Sequence, residues 1–524
     1  MTNPLIKALL ARGQGELMLI AAAEEQRVLV GGFLDGVKRC AGALRLCGVG
    51  PGDRVAVTMR ADAGFVTVVY ACLFLGAVPA LFDPGLPSDV VGRGMGRLRV
   101  RLWLTENADE AGSVAATELL DGPPLPAPAV LEPGHPCLII HTSGTTGAPK
   151  PVVWSCALVA SYLDQQRVLY GAHRLVTDFV VLPFLGLMDA ALGRALVLPQ
   201  MGDAQPGRAD IAAAHRQMTD LGCDYTFASL TFWRRMVDYC AEHRLAMPAV
   251  RIATTSGAPS SARVVENLVQ ALPTAHVDVH YASTEAPMPL AVMEARDLAT
   301  RAGVAARHGL GVPVGMAQDA RIAVLPLHTN APWEFDDADL LPPGQIGEII
   351  VTGPRVSSEY AELPELTSQA KLRDRGGSLW HRMGDIGYLD DDGMLWFLCR
   401  RKHLISTAQS TLYPDQQEFT YNHQFGLSQS ALICAPGGDE LYLVVPDAEY
   451  QRAPADQVHA LARHLAWPTP QPVAFPGWLP VDRRHSVKID RPVLAAWLAQ
   501  RVITVPEVGP VFQLLLGARV LAGQ

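Results

Sequence analysis

The sequence predicts an α/β protein: a large N-terminal domain of helix-covered mixed or parallel sheets, a small β-rich subdomain, and a small α+β C-terminal domain. Three observations lead there. Strand-like and helix-like segments alternate as far as Tyr281, the pattern of parallel sheets buried under helices. From Gly311 the texture changes to short strands and turns. Arg400-Arg401-Lys402 then reads as a linker, and the chain beyond it has an alternation of its own. The implied division is 1–400 for the N-terminal domain, with the β-rich subdomain in 311–400, and 401–524 for the C-terminal domain.

The elements follow in order. Leu34, Val37, Ala41 and Leu44 share one face of a helix. Gly48–Asp53 is a turn cluster, and Arg54–Thr58 reads as a strand. Phe65–Phe82 carries no charge, yet Gly76 and Pro79 interrupt it. A buried helix followed by a strand explains it better than a membrane span, which needs about 20 residues. Asp121–Pro136 is a Pro- and Gly-rich loop, and Cys137–Ile140 a buried strand. Val176–Pro183 is strand-like and opens into Phe184–Asp189. Cys223–Phe227 is a strand and Ser229–Tyr239 a helix. Strands Val250–Thr255 and Val277–Tyr281 stop at Ser256-Gly257-Ala258-Pro259 and Ala282-Ser283-Thr284-Glu285, the strand ends at which open α/β sheets bind ligands. Arg321–Leu325, Gly347–Thr352, Gly387–Leu389 and Leu395–Leu398 are short strands. Beyond the linker come strands Ala431–Cys434 and Leu441–Val445 and the helix Val458–Leu465.

The bulk numbers narrow the function. A chain of 524 residues exceeds one ordinary core. With 49% apolar and 18% charged residues it is globular rather than disordered. A net charge of −9 gives no support to nucleic-acid binding. Nine cysteines, an odd number without a CxxC pair, suggest free thiols in a reducing cytosol rather than disulfides or a zinc site. The apolar piece Leu17–Ala23 is short and runs into Glu24-Glu25, unlike a signal peptide. The expectation is a cytoplasmic protein without membrane insertion.

The loop after Cys137–Ile140 carries the chemistry. It reads His141-Thr142-Ser143-Gly144-Thr145-Thr146-Gly147-Ala148-Pro149-Lys150. Glycines let a backbone turn tightly against a ligand, and successive N–H groups in such a turn make an anion-binding nest. Hydroxyls and the Lys150 charge complete a polyphosphate cradle. The Walker pattern is absent.

Thr142–Lys150 resembles the phosphate loop of the adenylate-forming superfamily, which includes acyl-CoA synthetases, peptide-synthetase adenylation domains and luciferases. The resemblance implies ATP and Mg²⁺ as cofactors and a carboxylic acid as substrate. Both reactants are anionic, so the site must supply positive charge and aligned donors. Further segments repeat the resemblance in order. In Tyr281–Glu285, Tyr281 would stack on adenine, Thr284 would bind the α-phosphate and Glu285 would hold Mg²⁺. By itself a Thr-Glu pair is more often a helix cap. Ser256-Gly257-Ala258-Pro259 resembles the turn bordering the adenine pocket. Asp385, in Gly384–Tyr388, would accept from the ribose hydroxyls, in a hairpin turning at Asp392-Gly393. Arg400 matches the arginine before the hinge, and Lys402 the hinge of a mobile C-terminal domain. Lys488 resembles the lysine that bridges carboxylate and phosphate during adenylation.

The departures from the superfamily matter as much. Ile405–Pro414 lacks the glycines that let a pantetheine arm pass, and Phe184–Leu187 lacks the usual histidine. Pro183–Gly193, His381–Asp385, Thr411–Pro414 and Pro480–His485 are similar to the β-lactone synthetases of olefin and β-lactone natural-product biosynthesis. In that subgroup a β-hydroxy acid is adenylated and its own hydroxyl displaces AMP. The rivals are a ligase passing the adenylate to an external thiol or amine, and a non-catalytic nucleotide-binding relative. The expected acyl pocket draws on Phe184, Leu187, Met188, Phe227, Trp233 and Met288, although for any one of them core packing is the commoner role. Asp189 would orient the substrate hydroxyl or cap a helix. His485 reads as a surface histidine. No partner enzyme is legible.

Overall fold

The structure, a computed structural model, describes residues 1–21, 26–108, 110, 112–142, 149–200, 207–256, 262–327, 334–407, 410–435, 438–481 and 488–502. A six-stranded sheet runs in the order Val114–Ala115, Leu102–Thr105, Arg54–Thr58, Val78–Leu81, Pro136–His141, Pro151–Ser155. Its strands are parallel except the last, which turns back antiparallel to Pro136–His141. The uncharged stretch resolves as expected into a helix, Ala63–Leu75, and the strand Val78–Leu81. Asp62 caps that helix by accepting from the Phe65 N–H at 2.7 Å, and Gly76 ends it at φ +82°, a conformation in which a Cβ is strained. Ten residues of the helix are buried, so it is core all round and not a membrane surface. Among the described residues no helix is long and apolar enough to cross a membrane.

A second, larger sheet has a parallel block: Leu17–Ala21, Ala195–Leu198, Thr177–Phe179, Tyr225–Phe227, Ile252–Ser256, His276–Ser283. In the parallel register Phe227 lies beside Thr254 and Asp278, and Ser256 beside His280. These side chains therefore share one face of the sheet. One core fills that face, with Tyr225, Phe227 and Ile252; the other face packs Ala253 and Val277 into a second core.

The β-rich region continues the large sheet. Its strand Val312–Ala317 pairs on one side with Ala286–Glu294 and on the other with Leu395–Arg400, so the large sheet continues through it. Gly315 makes this continuity possible. It sits at φ +114° at a shift in strand register, and a Cβ there would lie 1.9 Å from the Val292 carbonyl oxygen. Beyond it, Leu379–Leu389 and Leu395–Arg400 form a hairpin. Asp390 closes its turn, accepting from the Met394 N–H and from the Trp396 indole N–H.

The C-terminal part contains the helix Pro414–Phe425, a three-stranded sheet of Ala431–Cys434, Leu441–Pro446 and Gln471–Phe475, and the helices Ala455–His464 and Arg491–Val502. It docks on the N-terminal part through Phe419, which is buried in the second core with Trp396 and Phe397, and through polar ties. Gln416 donates to the Gly309 carbonyl, and Arg263 donates to the Gly426 carbonyl, both at 2.6 Å.

Candidate active site

Between the two parts lies one cleft of about 2370 Å³, open to solvent and lined from both sides. Its residues come from distant parts of the chain, and each is held by a local interaction.

The mouth of the phosphate-type loop is pinned. The Thr142 N–H donates to the Lys150 carbonyl at 3.0 Å, and the Lys150 N–H to the Thr142 hydroxyl at 3.1 Å. His141 is buried below it, bonded through Nδ1 to the Leu81 carbonyl. Lys150 Nζ lies 5.2 Å over the ring of Tyr360. Ser143, Gly144, Thr145, Thr146 and Gly147 lie outside the described residues, as do Gly257, Ala258 and Pro259 of the second loop, and His485.

The hairpin joining His276–Ser283 to Ala286–Glu294 carries Thr284 and Glu285 at its tip. The Trp154 indole N–H fixes that tip by donating to the Thr284 carbonyl at 2.9 Å. The Glu285 carboxylate accepts from the Tyr360 hydroxyl at 2.6 Å. Burial works against its charge, but His381, the Tyr360 bond and Lys371 outweigh this and hold its carboxyl below the ordinary range. Glu285 is thus ionised and fits a cation, with one oxygen already oriented by Tyr360. Lys371, buried across from it, is pushed down to about 7, by burial against the pull of Glu285.

Asp385 is buried and held from two sides. It is 2% exposed on the long strand Leu379–Leu389. Its Oδ2 accepts from the Tyr281 hydroxyl at 2.7 Å, and Arg400 stands 3.1 Å from Oδ1. Oδ1 is buried yet has no hydrogen bond. Burial raises its carboxyl, and Arg400 and Tyr281 oppose the rise. Arg400 offers this oxygen its charge but no aligned hydrogen bond, and a sugar hydroxyl would supply one.

Lys402 and Lys488 both line the cleft. Lys488 acts on Asp385, tending to lower its carboxyl. The segment carrying Lys488 is anchored three residues on. Arg491 donates to both carboxylate oxygens of Glu418, at 2.6 and 2.9 Å. Before Lys402, Arg401 pairs with buried Glu348 at 2.5 Å, and Arg382 joins the same carboxylate at 2.6 Å.

The acyl side divides the expected residues. Phe184, Phe227 and Met288 line the cleft. Leu187, Met188 and Trp233 do not: each is fully buried. Leu187 and Met188 belong to the first core, and the Trp233 indole N–H donates to the Thr254 carbonyl from the second core. Asp189 neither faces the cleft nor caps a helix end. It is buried in an ion pair with Arg194, whose guanidinium lies 3.9 Å over the Tyr225 ring. Every residue from Leu185 to Ala191 is buried, so the body of the helix Pro183–Ala191 is core on all sides and only its start, with Phe184 and Leu185, reaches the cleft. Sequence reasoning missed Trp154, Tyr360, His280 and His381, all on the cleft. Trp154 had a signal, standing on the strand leaving the loop; the other three are brought in only by strand pairing.

The model of the "AMP-binding enzyme" family matches residues 18–361. The olefin β-lactone synthetase of Stenotrophomonas maltophilia is 31% identical, over 86% of this chain and 87% of its own. A feruloyl-CoA synthase of Amycolatopsis is 28% identical, over 85% and 89%. Among solved structures, ATP-bound MatB of Rhodopseudomonas palustris superimposes with a TM-score of 0.77 at 19% identity, covering 96% of this chain and 100% of that one, which establishes the shared fold.

Proposed function

The chain belongs to the AMP-binding enzyme family and is an ATP-dependent, AMP-forming ligase, and from that premise we propose that it converts a β-hydroxy carboxylic acid to a β-lactone. The observation that carries this reading is the likeness to an olefin β-lactone synthetase, which covers 86% of this chain and so reaches into the C-terminal part. A second observation supports it. The segment after the hinge folds into a small hairpin, Ile405–Ser406 with Thr411–Leu412, closed by Thr407 and Ser410. That hairpin stands where thioester-forming relatives keep glycines for a pantetheine arm. An internal nucleophile needs no such passage.

The reaction has two steps. In the first the carboxylate attacks the α-phosphorus of ATP and expels pyrophosphate. Lys150 and Lys488 supply positive charge from opposite sides of the cleft, and Thr284 donates to the α-phosphate. Asp385 takes the ribose, and the Tyr281 ring packs beside the base. Bound Mg²⁺, which Glu285 would hold, screens the phosphate charge. In the second step the β-hydroxyl attacks the acyl carbonyl, and AMP leaves. Tethering gives that hydroxyl a high effective concentration, and the mixed anhydride supplies the driving force for a strained ring. Phe184, Phe227 and Met288 offer an apolar wall to the acid's chain.

The test is product analysis with ATP, Mg²⁺ and a series of β-hydroxy acids, without thiol or amine. AMP, pyrophosphate and lactone in equal amounts support the reading. Turnover that begins only when coenzyme A or an amine is added overturns it.

A further inference from the structure

Lactone formation needs one group that the nucleotide machinery does not supply. The β-hydroxyl must lose its proton as it attacks, and a hydroxyl is a weak nucleophile unless a base takes that proton.

One side chain on the cleft wall has the right atom. His280 lines the cleft and is 4% exposed. It lies on the sheet face that also carries Phe227, level with Ser256, and both of these line the cleft as well. Its Nε2 is 2.8 Å from the Tyr170 hydroxyl, and that hydroxyl donates to Asp278 Oδ2 at 2.7 Å. His276 Nε2 stands 3.0 Å from the other Asp278 oxygen. Burial works to raise the Asp278 carboxyl, but His276, His280 and Tyr170 hold it below the ordinary range, so it is an anion and an acceptor.

These contacts fix the ring's tautomer. Tyr170 has one proton, and Asp278 takes it. The Tyr170 oxygen can then only accept from His280, so Nε2 carries the ring N–H. Nδ1 is left with a lone pair. It is buried and has no hydrogen-bond partner. An unpartnered buried acceptor is costly, and a hydroxyl donor in the cleft relieves that cost. Burial also pushes the ring down to about 4, so at neutral pH the lone pair is available.

We propose that His280 is the general base of lactone formation, with Nδ1 accepting the proton of the substrate's β-hydroxyl and Tyr170 and Asp278 acting as positioning residues. The inference rests on the lactone reading above. In the step, the hydroxyl oxygen forms a bond to the acyl carbon as its proton passes to Nδ1. The bond from that carbon to the AMP phosphate oxygen breaks, and AMP leaves with the electron pair. The imidazolium is then stabilised through Nε2–H, Tyr170 and the Asp278 charge until it returns its proton to solvent. The arrangement has the logic of an imidazole whose far nitrogen is fixed by an anion, here relayed through a phenol. Adenylation needs no base, because the carboxylate is already an anion.

The test separates the two half-reactions in the full-length protein. The probes are ATP, Mg²⁺ and 3-hydroxy acids of graded chain length. Pyrophosphate exchange reports adenylation, and AMP and lactone release report ring closure. His280→Asn keeps a polar side chain that cannot take up a proton. It is expected to leave exchange within about threefold and to slow lactone release by about 100-fold or more. Tyr170→Phe, which frees the tautomer, is expected to slow lactone release by about tenfold with exchange intact. Retained exchange certifies folding. Unchanged lactone release in His280→Asn overturns the inference while leaving the lactone reading standing, as does a parallel loss of both half-reactions in both variants. Wild-type protein that exchanges pyrophosphate but makes no lactone from any of the acids overturns the lactone reading and this inference with it.

Discussion

Replacing Asp385 by Asn probes the nucleotide end of the cleft at a single atom. The two side chains have the same shape, but Asn has one acceptor oxygen where Asp has two. The Tyr281 hydroxyl, 2.7 Å from Oδ2, claims that oxygen. The amide NH₂ then occupies the position of Oδ1, near the Arg400 guanidinium, on a residue that lines the cleft. A donor stands where a sugar hydroxyl needs an acceptor. A hydrogen bond to a charged group contributes about 1.5–3 kcal/mol, which corresponds to a rise of about 10- to 150-fold in the KM for ATP. Pyrophosphate exchange measured against ATP concentration reads this directly. Repeating it with 2′,3′-dideoxy-ATP closes a thermodynamic cycle: wild-type protein should lose a similar factor with the analogue, and Asp385→Asn should lose little more. An unchanged KM for ATP in the variant, or equal losses with the analogue in both proteins, refutes the assignment of Asp385 to the sugar.

Three further outcomes follow from the geometry. Lys488→Ala is expected to keep ATP binding in calorimetry while slowing pyrophosphate exchange by about 100-fold; unchanged exchange would remove its role. Tyr360→Phe removes the hydroxyl that orients Glu285, so the Mg²⁺ concentration for half-maximal exchange should rise severalfold with ATP saturating; an unchanged Mg²⁺ dependence counts against Glu285 as the metal's ligand. His280 titrates lower in the folded protein, at about 4, than in the unfolded chain near 6.5. Burial among Tyr170, Asp278 and His276 outweighs the pull of the Asp278 anion. Between these values the unfolded chain binds the extra proton, so this residue's contribution to stability is complete above about 6.5 and is lost as pH falls toward 4. At pH 5 the loss amounts to about 2 kcal/mol. Unfolding titrations of His280→Asn should show a shallower acid decline than wild type, and identical slopes would contradict the buried neutral ring.

The sequence showed the order of the parts well and their orientation poorly. Thr142, Lys150, Tyr281, Glu285, Asp385, Arg400 and Lys488 were legible because each sits in a short segment whose local chemistry is self-contained. The cleft gathers all seven. Leu187, Met188 and Trp233 were misread because an apolar helix residue has the same appearance in a core as in a pocket, and only the packing around its helix separates the two. Asp189 belongs to a buried polar network with Arg194, five residues on, and with the distant Tyr225. The short strands of the β-rich region were legible locally, whereas the pairing of Val312–Ala317 with both halves of the sheet, through the bulge at Gly315, was not. His280 was invisible for a similar reason. Nothing in Val279-His280-Tyr281 marks a base until Tyr170 and Asp278 are folded against it.

The central claim is that the carboxylate is activated and the hydroxyl attacks. Oxygen tracing tests it most directly. A β-hydroxy acid carrying oxygen-18 at both carboxylate positions is converted with ATP, and the products are weighed by mass spectrometry. Activation at the carboxylate transfers one labelled oxygen to AMP and leaves one in the lactone carbonyl, with an unlabelled ring oxygen from the hydroxyl. Unlabelled AMP beside a lactone carrying both labels would show instead that the hydroxyl had been activated and displaced, and would contradict the account.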